Sequence, residues 1–66
     1  MNNAKLKGKL RECGKTYEDC SRAIGITTTS FSNKINGSSK FYIDELEKLG
    51  DYLEMTNNEK AEIFLH

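Results

Sequence analysis

The 66-residue chain predicts an all-α fold made of five short helices. Three observations carry that reading. Apolar residues recur four apart at Leu6/Leu10, Cys20/Ile24 and Phe31/Ile35, a spacing that gathers each pair on one helix face. Thr-x-x-acid stretches at Thr16-Tyr17-Glu18-Asp19 and Thr56-Asn57-Asn58-Glu59 have the form of helix-opening capping boxes. The sequence contains no Pro, so no ring interrupts a helical backbone. A chain of this length is expected to form one domain over residues 1–66, with a small core and modest stability.

The first helix is expected from Ala4 to Cys13. Leu6 and Leu10 form its buried stripe, Lys5, Lys7, Lys9 and Arg11 its solvated side, and Gly14 its stop. Gly8 lowers its helical propensity by up to ~1 kcal/mol relative to Ala. The second helix starts from the Thr16 cap, carries Cys20 and Ile24 inward, and ends at Gly25. Ile26 then fills the corner. Thr27 caps a third helix running to Asn36-Gly37, with Phe31 and Ile35 pointing to the core. After a turn at Asn36-Gly37-Ser38-Ser39, Phe41 anchors the loop. A fourth helix follows from about Tyr42 to Leu53, with Ile43, Leu46, Leu49 and Leu53 as its apolar stripe. Gly50 within it suggests close approach of another backbone, or simply tolerance. Thr56 opens the last helix, through about Leu65, whose Ala61, Ile63, Phe64 and Leu65 exceed what one short helix buries on a single face.

Charge is uneven although the net value is zero. Residues 1–40 hold eight basic and three acidic side chains, and residues 41–66 hold two basic and seven acidic ones. The resulting split of about +5 against −5 would orient the molecule on a polyanion. A chance split, or charge pairing between the halves, is the alternative. No apolar run approaches the ~20 residues of a membrane span. The N-terminus lacks the apolar stretch of a secretion signal, so a cytoplasmic location is expected. Cys13 and Cys20 lack the spacing of a zinc site and are expected on buried faces as free thiols. His66 is the only histidine. No metal, cofactor, membrane or small-molecule substrate is expected. With no Gly-rich phosphate loop and no Ser/His/acid set beyond His66, neither is enzymatic activity.

The segment from Thr16 to Gly37 has the layout of a helix-turn-helix, in which the second helix enters the DNA major groove. Thr28, Thr29, Ser32 and Asn33 lie on one stripe of that second helix. All four carry hydrogen-bonding groups of modest length. A purely solvated face would favour Glu, Lys and Gln, which are better helix formers, so something other than stability selects this cluster.

Thr16-Tyr17-Glu18-Asp19-Cys20-Ser21, the corner Gly25-Ile26-Thr27, Phe31, and Asn36-Gly37 together resemble the lambdoid-phage repressor and Cro proteins, the XRE family. The likeness extends from about Lys5 to Leu65 and implies a compact, lambda-repressor-like five-helix bundle that binds operator DNA as a homodimer and regulates transcription. By that resemblance Thr28, Thr29, Ser32 and Asn33 face base edges, and Asn33 pairs with an adenine. Tyr17, which replaces the family's usual Gln, together with Thr27, Lys34, Asn36, Ser38 and Lys40 would hold the DNA backbone. Glu54 replaces a common Gly, which implies a different bend after helix four. Ile63, Phe64 and Leu65 are the candidate dimer surface; the alternative is that they cap the core of the monomer. The alternative function is an antitoxin or other protein-interaction module on the same scaffold.

Overall fold

Four of the five helices begin on a short side chain that stands in for a missing carbonyl. Asn2, Thr16, Thr27 and Thr56 accept the backbone N–H of Lys5, Asp19, Ser30 and Glu59 at 3.0–3.1 Å. Each bond satisfies an otherwise orphaned donor and stabilises its helix by about 1 kcal/mol. The computed structural model, which describes residues 1–65, accordingly has α1 (Asn3–Glu12), α2 (Tyr17–Ile24), α3 (Thr28–Ile35), α4 (Ile43–Tyr52) and α5 (Asn57–Phe64). The described residues form an all-helical fold, with element ends within about a residue of those expected. His66 lies outside them.

The corners share one construction. Lys15, Ile26, Ser38 and Met55 each donate their backbone N–H to a carbonyl five residues back, on Leu10, Ser21, Asn33 and Gly50, at 2.8–3.0 Å. That bond closes a helix when the preceding residue is left-handed. Gly14, Gly25 and Gly37 supply the conformation in three cases, and Glu54 in the fourth at φ 52°. The corner after α4 therefore turns as the others do, against the expected change of bend. Glu54 takes a conformation that costs a residue with a Cβ about 1 kcal/mol.

The core gathers Leu6 and Leu10 of α1, Cys20 and Ile24 of α2, Phe31 and Ile35 of α3, Leu49 of α4, Leu53 and Met55 of the following corner, and Ile63 of α5. Each large apolar side chain fully buried contributes about 1.5–3 kcal/mol, more than any cap. Phe31 is the centre, with no exposed surface. Tyr17 and Phe41 meet it edge-on, at centroid distances of 5.5 and 5.7 Å. Both are half-buried against the core. The start of α2 and the loop before α4 are thus pinned to the same ring.

Three expectations are corrected here. Ile43 is 77 % exposed instead of joining the α4 stripe. The buried arc of α4 runs through Glu45, Leu49 and Gly50, and at 100° per residue Ile43 lies roughly 100° from its centre. Ile63 is buried at 5 % exposure and belongs to the core, so it is not part of an open dimer surface; Phe64 is half-buried and Leu65 is 79 % exposed. Gly50 is approached by a side chain, not by backbone: a Cβ there would stand 2.8 Å from Cε of Lys60. Cys20 is fully buried and Cys13 partly so, and both thiols are free. Among the described residues no helix is long and apolar enough to cross a membrane.

Candidate nucleic-acid interface

Helix α3 is divided lengthwise. Phe31, Lys34 and Ile35 are buried. Thr28, Thr29, Ser32, Asn33 and Asn36 fall on the remaining side, within an arc of about 140° at 100° per residue. Thr28, Thr29, Asn33 and Asn36 are exposed and Ser32 is half-buried. The four residues expected to meet base edges therefore share one outward surface.

Local hydrogen bonds fix the chemistry of that surface. Ser21, buried on α2, donates its hydroxyl to the Glu18 carbonyl at 2.9 Å. Its oxygen also lies 3.3 Å from Thr28 Oγ1. A serine has one hydroxyl proton, and Glu18 takes it, so Thr28 is the donor in the second bond. Thr28 is left with acceptor capacity on an exposed side chain. Thr27 accepts the Ser30 N–H at 3.1 Å, and its own proton stays available to a phosphate oxygen. Asn36 donates through Nδ2 to Ser32 Oγ at 3.3 Å, a bond that uses neither its own carbonyl oxygen nor the Ser32 proton. The role of Ser21 in setting Thr28 was not foreseen; its place one turn before the corner, facing the next helix, is the signal that marks it.

Of the residues expected on the DNA backbone, Thr27, Asn36, Ser38 and Lys40 are exposed. The Ser38 N–H is engaged by the Asn33 carbonyl, which leaves its hydroxyl as the free group. Tyr17 is half-buried with its ring against Phe31. Lys34 is a correction. It is 8 % exposed, its Nζ lies 2.6 Å from Glu45 Oε1, and it stands 4.4 Å from the centroid of the Tyr42 ring. It faces the protein interior because position 34 follows Phe31 by three and so shares its face. Glu45 also accepts the Tyr42 backbone N–H at 2.8 Å, closing one half of a capping box for α4.

Pairing across the chain also absorbs much of the charge split. Lys5 meets Glu62 at 2.9 Å, Lys9 meets Glu59 at 2.7 Å, and Lys34 meets Glu45. All three link the basic half of the sequence to the acidic half. Arg22 is held by Glu18 at 2.8 Å, and Lys15 lies 5.0 Å from the centroid of the Tyr52 ring. Lys40, in the loop after α3, is exposed and without an acidic partner among the described residues, as Lys7, Arg11, Lys15 and Lys48 also are without one. The field around the surface is consequently weaker than the sequence count implies.

Titration follows the same contacts. The Thr16 backbone N–H holds the Asp19 carboxyl below its ordinary range, with the Thr16 hydroxyl assisting. The Lys9 ammonium does the same for Glu59, helped by the Thr56 N–H. Glu59 in turn raises the Lys9 ammonium against the opposing effect of desolvation. Burial pushes the Cys20 thiol up to about 11, so it stays protonated and unreactive.

Compared with known protein families, curated proteins and solved structures, the chain matches none of them.

Proposed function

We propose that the chain is a sequence-specific DNA-binding regulator of transcription, in which α2, the Gly25-Ile26-Thr27 corner and α3 act as a helix-turn-helix and α3 reads the major groove. The supporting observation is the outward stripe of Thr28, Thr29, Ser32 and Asn33 on a helix whose other side is buried through Phe31, Lys34 and Ile35. Donors, acceptors and a thymine-compatible methyl group lie side by side there, which is the vocabulary of direct base readout. Thr27, Asn36, Ser38 and Lys40 would position the helix on the phosphates. In the lambda-repressor-like arrangement two copies bind a symmetric operator, one half-site each. Occupying a promoter in that way represses by excluding polymerase.

Selection of bound sequences from a random duplex pool tests this reading, followed by anisotropy titrations on the enriched site. Asn33→Ala should weaken binding at one base position by ~1–3 kcal/mol and relax specificity there. Lys40→Ala should weaken binding about equally on all sequences and lower the salt slope by about 1. An unenriched pool, or variants that bind as the parent does, would remove the assignment.

A second reading, an antitoxin or protein-interaction module, is favoured by the cross-chain ion pairs, which neutralise three of the eight cations of residues 1–40. Duplex binding at low salt with a steep salt slope distinguishes the regulator from the module.

A further inference from the structure

Ser21 is 3 % exposed, so it does not itself meet a bound duplex. It stands on α2, seven residues before Thr28, the first residue of α3. Its one hydroxyl proton goes to the Glu18 carbonyl at 2.9 Å. The 3.3 Å contact between the Ser21 and Thr28 hydroxyl oxygens therefore uses the Thr28 proton. Thr28 is exposed at the start of the outward stripe, and the capacity it has left is that of an acceptor. Ser32, on the same stripe, differs: it accepts from Asn36 and keeps its own proton. The polarity of the Thr28 hydroxyl is thus set from behind, by a buried residue of the neighbouring helix.

A free hydroxyl discriminates poorly between bases, because it turns to donate or to accept as the partner requires. One whose proton is already held loses half of that choice. In the major groove adenine N6 and cytosine N4 donate, whereas guanine O6 and thymine O4 accept. We propose that Ser21 is a specificity-determining positioning residue: by holding the Thr28 proton it makes Thr28 a reader of an exocyclic amine. The base that Thr28 meets is then adenine or cytosine. Guanine or thymine there sets acceptor against acceptor unless Thr28 withdraws its proton from Ser21. This deepens the base-reading assignment of α3, on which it rests, by naming the class of base taken at one position.

Selection from a random duplex pool with the parent, Ser21→Ala and Thr28→Val tests the proposal, followed by anisotropy titrations on duplexes that differ at the base in question. Thr28→Val keeps the branched shape and removes the hydroxyl, so the position whose preference it alters is the one Thr28 reads. There the parent should favour adenine or cytosine over guanine or thymine about tenfold. Ser21→Ala should cut that ratio to about threefold or less and leave the preferences at other positions unchanged. Ala is the better helix former, so circular dichroism should report an intact fold. A role in packing alone gives instead a loss of affinity on all sequences with the base ratio unchanged, and that result would overturn the proposal. So would a parent that prefers guanine or thymine at this position. In the free protein, three-bond couplings to the Thr28 methyl carbon should show one χ1 rotamer in the parent and averaging in Ser21→Ala; averaging in the parent would overturn the proposal without reference to DNA. A parent pool with no enriched site would remove the base-reading assignment and this proposal together, whereas an enriched site indifferent to Ser21→Ala would remove the proposal alone.

Discussion

The corners α2–α3 and α4–α5 have the same backbone and opposite surfaces. Gly25-Ile26-Thr27 and Glu54-Met55-Thr56 each place a left-handed residue, then an apolar plug, then a threonine cap, with the same five-residue-back hydrogen bond. Beyond the first corner the chain exposes hydroxyls and an amide on α3. Beyond the second it buries Ile63 and leaves Phe64 and Leu65 at the edge of an apolar groove. Corner geometry therefore does not determine what a helical hairpin does. The residues on the outward arc do, and in this chain one arc is polar and the other apolar.

The strongest way to break the comparison is to cut the tie between the two hairpins. Lys34 of α3 and Glu45 of α4 pair at 2.6 Å, both more than nine-tenths buried. Glu45→Ala leaves the Lys34 ammonium buried without its partner and should cost about 3–5 kcal/mol. In a domain this small that approaches the whole of its stability. The double variant Lys34→Met/Glu45→Leu removes both charges and should recover most of that loss, falling short of the parent by about 1 kcal/mol because the Tyr42 N–H loses its Glu45 acceptor. Urea unfolding of the three proteins measures this. A mild Glu45→Ala would mean that water or another group reaches Lys34.

Making the corners alike has a smaller effect of the opposite sign. Glu54 stands at φ 52°, where Gly25 stands at φ 80° without strain. Glu54→Gly should raise stability by about 0.5–1 kcal/mol, the relief of backbone strain exceeding the added freedom of the unfolded chain. Gly25→Ala should lower it by a similar amount; a Cβ there meets nothing within 4 Å, so the cost is conformational alone. Thermal melts of both variants check the pair. Equal, same-sign shifts would show that the two corners are not equivalent.

The α2–α3 corner was legible in the sequence because its chemistry is local: a glycine stop, an apolar plug and a threonine cap. The start of α5 was legible from Thr56 three residues before Glu59, whereas the left-handed Glu54 was not, since the sequence implied a different bend there. The α3 stripe was legible because spacing alone sets which residues share a face. What escaped depends on which neighbour covers a given arc. Lys34 looks like a solvent lysine until α4 brings Glu45 beside it. Ile43 looks like core until the buried arc of α4 is seen to centre on Glu45 and Leu49. The charge split was counted correctly, yet three of its cations turn inward or across to acids 11 to 57 residues away. Pairing at that separation has no periodic signature.

The smallest effects sharpen the comparison through pH. Asp19 and Glu59 hold equivalent places in the boxes of α2 and α5, and both have folded pKa values below their ordinary ones, 3.8 and 4.5. A lowered carboxyl pKa adds stability above its unfolded value, and that share is lost as pH falls through the folded value. Stability should therefore decline below about pH 4.5, and Asp19→Asn or Glu59→Gln should each flatten that decline. The alkaline limb separates them. The Lys9 pKa is raised above 10.5, chiefly by Glu59, so its contribution is complete below the unfolded value and vanishes as pH rises through the folded one. Glu59→Gln should flatten both limbs, because Glu59 ties α5 to α1 as well as closing its own box. Asp19→Asn should flatten only the acid limb. Urea midpoints measured across the pH range would show this, and an alkaline limb untouched by Glu59→Gln would mean that Lys9 and Glu59 do not pair in solution.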